Sequence, residues 1–257
     1  MPSPPAPLPP GGRGEFVAFP EPRVLATFVR RRMRFLADML LPDGTATVAH
    51  CPNTGSMKGC LYPGARALLT RHDSPTRKLA YTWRAIEGPA GWIGLDTTLP
   101  NRLVAEVVKA GFLPTLAGYP EVLPEQRMGE RSRVDLLLRG PQGRCWVEVK
   151  NVSLVEHGVA RFPDAVTARG LKHLHELALR VREGDRAAMV YVVQREDGTS
   201  FEPAGDIDPE YAKGLEWAVG QGVEAYALGC RVSPEGVEAV RLLPASAGSP
   251  LRSSLVH

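Results

Sequence analysis

The sequence predicts two consecutive folds, a small all-β barrel over residues 16–97 and an α/β domain with a mixed sheet flanked by helices over 98–245. Three observations predict this. Residues 16–97 hold five short strand-like runs, punctuated by Pro42-Asp43-Gly44, Pro63-Gly64 and Gly88-Pro89. From about residue 98, helical stripes begin to alternate with strands. Charge divides at nearly the same place: residues 1–100 carry 12 Lys and Arg against 7 Asp and Glu, whereas residues 101–257 carry 19 against 21. The first part suits a polyanion, and the second can gather carboxylates around a cation.

The elements follow in chain order. Residues 1–15 are rich in Pro and Gly and read as a disordered tail; 246–257 form a second tail. The start of the chain has no apolar segment of the secretory kind. Strands are expected at 24–36, 45–50, 65–71, 79–87 and 92–96. Five strands in this span suit an OB-fold barrel, and an SH3-like barrel would show the same pattern. Asn101 is the expected N-cap of a helix whose stripe is Leu103, Val104, Val107 and Val108, closed by Gly111. Strands are then expected at 121–127, 131–139 and 144–152, and a helix at about 164–182. An apolar strand at 187–194 suits a sheet interior. Asp208-Pro209-Glu210 opens a third helix with a cap, a first-turn proline and an acidic first turn. A last strand is expected at 223–232.

Composition narrows the function classes. Hydrophobic residues make up 44% of the 257, enough for a substantial core, yet no apolar run reaches the ~18 residues of a membrane helix. Cys51, Cys60, Cys145 and Cys230 form no CxxC pair, which argues against a zinc knuckle or disulfide framework and points to a reducing cytoplasm. Arg outnumbers Lys 25 to 6, a bias that suits phosphate recognition and also arises by compositional drift.

One hairpin concentrates the chemistry. With a side-chain period of two, Trp146, Glu148 and Lys150 share a face, and Asp135 shares a face with Arg133 and Leu137. The linker Gly140-Pro141-Gln142-Gly143 suits a type I turn with Pro at its second position. About the centre of a symmetric turn, Asp135 and Glu148 are equidistant and stand opposite each other. Pro141 excludes a type I′ turn, so a longer loop with another register is the alternative. Adjacent carboxylates repel unless a divalent cation lies between them or one is protonated. Mg²⁺ or Mn²⁺ on Asp135 and Glu148 would polarise a phosphodiester and activate water, with Lys150 orienting that water or stabilising the transition state. Glu106, on the flank of the first helix, is a further catalytic candidate. The bland alternative is a solvated Glu-x-Lys ion pair and an exposed helix carboxylate.

Other features bear on a polyanionic partner. In Phe28–Phe35, Arg30, Arg32 and Arg34 share one face, a track for phosphates or merely a solvated outer face. Asn53 and Ser56, in the loop His50-Cys51-Pro52-Asn53-Thr54-Gly55-Ser56-Met57, are small hydrogen-bonding groups suited to a phosphate or sugar edge, or to a structural turn. Asp164 is a candidate cap of the second helix. Arg169 and Lys172 lie near the start of that helix, where the dipole also favours phosphate. His173 and His175 lack i,i+4 spacing and are not read as a metal pair. Core packing is the preferred reading of Tyr81, Trp83 and Trp92.

The stretches RRRMRFLADM, HCPNTGSM, RKLAYTW, LPNRLV, SRVDLLL, VEVKNVSLVE, FPDAVTARGLKHL and VYVVQR together resemble the sugar fermentation stimulation protein A family. They span roughly 24–232. The resemblance implies an OB-like N-terminal domain joined to a PD-(D/E)xK nuclease-like domain. It also implies DNA binding with little sequence preference, and a link to maltose and sugar metabolism. The family's acidic residue falls on Asp135, its ExK triad on Glu148 and Lys150, and the helix carboxylate of some members on Glu106. The implied activity is metal-dependent cleavage of DNA or RNA. The alternative is a non-catalytic DNA-binding regulator of sugar genes. Oligomeric state is open at this level.

Overall fold

The computed structural model describes residues 14–74, 76–129 and 132–246. The tails expected at 1–15 and 246–257 therefore lie almost wholly outside the described residues.

Strand β1 (Phe16–Ala18) is the first departure from expectation. It pairs antiparallel with the last strand of the chain, not with the barrel. Glu15 extends the pairing by accepting from Ala239 N at 2.9 Å. Its partner follows the tight turn Ser233-Pro234-Glu235-Gly236, and the pairing of β1 with it spans more than 200 residues, a distance that local pattern does not record.

The barrel comprises β2 (Arg23–Arg32), β3 (Leu36–Leu40), β4 (Ala46–His50), β5 (Arg66–Arg71) and β6 (Tyr81–Gly88). β3, β2, β5 and β6 pair in that order, and β4 closes the ring by pairing with both β3 and β6. This is a closed five-stranded barrel of the OB kind. β7 (Gly91–Gly94) extends β6 as a hairpin. The run 24–36 breaks into two strands because Met33 and Arg34 turn the chain back with positive φ, 49° and 63°. Arg34 thus sits in a turn and does not share a strand face with Arg30 and Arg32. Trp83 is fully buried and stacks on Phe28, with ring centroids 4.7 Å apart.

Helix α1 (Leu99–Lys109) begins earlier than expected: Thr98 is the cap residue, anchored by Asp96, and Pro100 occupies the first turn. Its stripe of Leu103, Val104, Val107 and Val108 is buried as expected. After it come β8 (Glu121–Arg127), β9 (Arg133–Gly140), β10 (Gly143–Val152), β11 (Leu154–Glu156) and β12 (Val159–Phe162). α2 (Ala168–Arg182) starts later than expected, capped by Thr167, whose side chain accepts from Gly170 N. Then follow β13 (Arg186–Val193), β14 (Ser200–Pro203), α3 (Pro209–Gly220), β15 (Glu224–Ser233) and β16 (Gly236–Leu243). Asp208 caps α3 as its sequence indicates, accepting from Tyr211 N at 3.0 Å.

Seven strands form one mixed sheet, ordered β1-β16-β15-β13-β10-β9-β8, with β10, β13 and β15 parallel. Its residues alternate between two cores. Cys145, Val147 and Val149 pack with α1 and with barrel residues Leu68 and Ala85. Trp146, Met189 and Tyr191 pack with Leu174 of α2 and Leu215 of α3. Among the described residues, no helix is long and apolar enough to cross a membrane.

Candidate metal centre and nucleic-acid cleft

The β9–β10 hairpin has the symmetric register. Gly140 pairs with Gly143 around Pro141-Gln142, and Gly143 takes the positive φ of 98° that the turn requires. Pairing runs to Val147 opposite Leu136 and stops there. One step further, Val149 N needs an acceptor, because a buried backbone donor left unpaired is costly. Asp135 Oδ2 supplies it at 2.7 Å in place of a backbone carbonyl. The hairpin therefore splays where its two carboxylates stand.

Glu148 is almost completely buried. Lys150 Nζ donates to its Oε1 at 2.5 Å, and His173 Nδ1 contacts the same oxygen. Arg169 Nε lies 3.5 Å from His173 Nε2, so the ring accepts there and carries its proton on Nδ1, facing Glu148. Oε2 of Glu148 is buried with no hydrogen-bond partner among the described residues. A buried carboxylate oxygen left unpaired is costly and calls for an explanation. Burial opposes ionisation of Glu148, but His173 and Lys150 outweigh it and hold the group below the ordinary glutamate value. Asp135 behaves in the opposite way. Burial, then the neighbouring Glu148 charge, push it up to about 6. Its other partner is Asn101 of α1, whose Nδ2 donates to Oδ1 at 2.9 Å.

These groups line a cleft of about 660 Å³. Its floor carries Asp135, Glu148 and Lys150. One wall comes from the barrel, through Arg34 and the loop Pro52–Gly55; the other is the 161–167 segment with Arg169. Asp135 also borders a second hollow lined by Arg127, Arg133, Arg169 and Lys172. Asp164 does not cap α2. It fastens the barrel loop to the floor domain, accepting from Met57 N at 2.9 Å and Ser56 Oγ at 3.1 Å. Gly55 permits that approach, since a Cβ there would lie 2.8 Å from both Asp164 oxygens.

Comparison with known proteins agrees with this two-part organisation. Residues 29–95 match the family model described as the SfsA N-terminal OB domain, and 98–236 match the sugar fermentation stimulation protein RE domain. The chain belongs to the sugar fermentation stimulation protein family. It is 54% identical to a sugar fermentation stimulation protein homolog of Geobacter sulfurreducens, over 89% of this chain and 98% of that one. It is 52% identical to the homolog of Rhodospirillum centenum, over 89% and 99%. The solved structure of Pyrococcus furiosus SfsA in complex with Ca²⁺ matches it with a TM-score of 0.82 at 27% identity, covering 92% of this chain and all of that one.

Within this family member, the residues singled out from sequence scatter. Asp135, Glu148 and Lys150 converge. Glu106 does not join them; it is exposed, and Lys109 Nζ donates to it at 2.9 Å. Asn101, read as a cap, is the α1 residue that reaches Asp135, because the helix starts two residues before it. Arg30 and Arg32 both clasp Asp38, at 2.8 and 2.6 Å, and neither lines the cleft. Asn53 is buried and braces its own loop by accepting from Gly55 N at 2.9 Å; Ser56 is committed to Asp164. Arg169 lines the cleft, and Lys172 lies 3.6 Å from Glu176. Sequence spacing carries no sign of the role of His173, because its partner Glu148 lies 25 residues away, on a strand. The signal that could have found it is its place on the buried stripe of α2, four residues after Arg169.

Proposed function

We propose that this protein is a divalent-metal-dependent nuclease whose centre is built on Asp135, Glu148 and Lys150. The observation that carries the reading is the unpartnered, buried Oε2 of Glu148, beside an Asp135 pushed up to about 6, in a cleft shared with an ammonium group. Two carboxylates suit Mg²⁺ or Mn²⁺: such ions accept one or two protein carboxylates and keep several waters. No cluster of three or more His, Cys, Asp or Glu occurs among the described residues, which disfavours an all-protein zinc-type cage. Ca²⁺ in the Pyrococcus relative supports a hard-cation site, since Ca²⁺ also takes oxygen ligands.

Asp135 and Glu148 would hold the ion. When bound, it supplies a Lewis acid for a phosphoryl oxygen and lowers the pKa of an attacking water. The protein's own groups do the rest. Lys150 places positive charge where the transition state accumulates negative charge. His173 and Lys150 hold one oxygen of Glu148, which would leave the other available to an ion. Asn101 and Val149 N fix the Asp135 carboxylate by one hydrogen bond to each of its oxygens. The hollow lined by Arg133, Arg169 and Lys172 continues past Asp135 and suits a sugar–phosphate backbone. The partner is thus nucleic acid, DNA or RNA, bound with little sequence preference.

The test is direct. Purified protein is incubated with end-labelled single- and double-stranded DNA and RNA in Mg²⁺, Mn²⁺ or chelator, beside Glu148→Gln. Cleavage should require metal and vanish in the variant, with binding retained. A variant that cuts as well as the parent would overturn the assignment.

A further inference from the structure

The proposed metal centre lies on the α/β domain, yet one wall of its cleft belongs to the barrel, and the four arginines around the β2–β3 turn are in different states. Arg30 and Arg32 are spent on Asp38. Arg31 is spent on the backbone: it donates to Arg34 O at 2.8 Å, Asn53 O at 2.8 Å and Ser56 O at 3.3 Å. The Arg34 guanidinium has no hydrogen bond or ion pair among the described residues, and it lines the cleft that holds Asp135, Glu148 and Lys150.

Its position is costly. Met33 and Arg34 are consecutive non-glycine residues with positive φ, a conformation that side chains bearing a Cβ disfavour. Arg31 holds the turn in that form and ties it to the loop that Asp164 fastens to the α/β domain. The turn that reverses β2 into β3 uses this conformation, and the bonds from Arg31 fix where Arg34 leaves it. Here it delivers a free guanidinium, the best side-chain fork for phosphate, across the domain boundary.

We propose that Arg34 binds a backbone phosphate of the strand lying over the metal centre, so that the site is shared by both domains. This rests on the nuclease reading for the identity of the ligand, but it concerns binding and is tested apart from cleavage. The probe is a fluorescently labelled single-stranded DNA oligonucleotide, titrated by anisotropy with Ca²⁺ present at several salt concentrations. Arg34→Ala should weaken binding about tenfold. It should also lower the salt dependence by about 0.7 in the slope of log K against log salt, one phosphate contact on a single strand. Arg34→Lys should recover part of the affinity. Arg34→Gly should lose affinity like the alanine variant while raising Tm by about 2 °C, because it relieves the turn. Ca²⁺ affinity without DNA should be the same in all.

Unchanged affinity and salt slope in Arg34→Ala would overturn the proposal even if the enzyme still cuts. Failure of the parent protein to bind the oligonucleotide would overturn it as well. Arg34-dependent binding without cleavage in Mg²⁺ or Mn²⁺ would uphold it while sinking the nuclease reading. A loss of affinity in Arg34→Gly matched by a lower Tm would mark the residue as structural and also overturn it.

Discussion

Two hairpins face the same cleft and treat charge in opposite ways. The β2–β3 hairpin is exposed, and it neutralises itself: Asp38, flanked by Arg30 and Arg32, sits below the ordinary aspartate value because both arginines hydrogen-bond to it. The β9–β10 hairpin is buried and stays unbalanced, with Asp135 raised and one Glu148 oxygen unpaired. On a solvated surface, pairing costs little and yields little. Under burial, an unmatched carboxylate is expensive and persists only where something else, such as a cation, answers it. The contrast supports the proposed centre on the second hairpin, and on the first it sets Arg34 apart from the arginines held by Asp38 or by backbone carbonyls.

The largest effect that would sharpen this contrast is loss of the second hairpin's charge. Glu148→Gln should reduce metal-dependent cleavage by ~10³-fold or more, the several kcal/mol that metal polarisation contributes, as measured by single-turnover assay. Removing the group that holds Glu148 should cost less. His173→Ala should weaken Mn²⁺ binding about 10–100-fold, in the range of lost outer-shell partners, and His173→Gln should restore part of it; calorimetric titration reads both. Equal affinities in parent and alanine variant would show that His173 merely fills space.

Asp135 offers a stability test whose sign is opposite to that of a stabilising ion pair. Its folded value of about 6 lies above the ordinary 3.8. Its contribution to metal-free stability is thus fully present below about pH 4 and lost as pH rises through about 6. Asp135→Asn should raise metal-free stability at pH 7.5 by ~1–3 kcal/mol while abolishing cleavage. Thermal melts from pH 4 to 8 should show the parent's decline flattened in the variant. A destabilised variant at pH 7.5 would show that its bonds to Val149 N and Asn101 outweigh burial. Metal binding by the parent should also weaken below about pH 6, as protons compete for Asp135. The smallest effect belongs to the first hairpin. Asp38→Ala should leave stability within ~1 kcal/mol and tighten DNA binding a few-fold at low salt, by freeing Arg30 and Arg32. Anisotropy titration would read this, and no change would mean that neither arginine reaches the nucleic acid.

The legible parts of this protein share a physical property: they are local. Strand periodicity alone put Glu148 and Lys150 on one face, and loop symmetry put Asp135 opposite. The stripe of α1 and the cap of α3 are readable because capping and amphipathic packing act within one or two turns, whereas the cap of α1 is Thr98 and not the expected Asn101. What was missed was separated in sequence or decided by competition. β1 is hidden because its partner lies more than 200 residues away, whereas β16 is a local hairpin partner of β15 whose turn, Ser233–Gly236, is present in the sequence. Arg30 and Arg32 read as a phosphate track because nothing in their spacing shows that Asp38 folds back between them. Glu106 reads as a third carboxylate from its place beside the apolar stripe of α1, but that flank faces solvent and Lys109, and Asn101 is the α1 residue that reaches Asp135.

By itself, then, the sequence determined the two-part architecture, through its punctuation and change of period, and the acidic pair with its lysine, through a period of two. Tertiary structure alone decided that His173 and Asn101 are the groups holding the two carboxylates. It alone decided that Asp164 fastens one domain to the other, and that Arg34 is a barrel arginine in the cleft whose guanidinium has no partner among the described residues. The reason is that a hydrogen-bonding group finds its partner through the packing of whole elements, and the sequence distance between partners, 25 residues for His173 and Glu148 and 107 for Asp164 and Met57, carries no record of it.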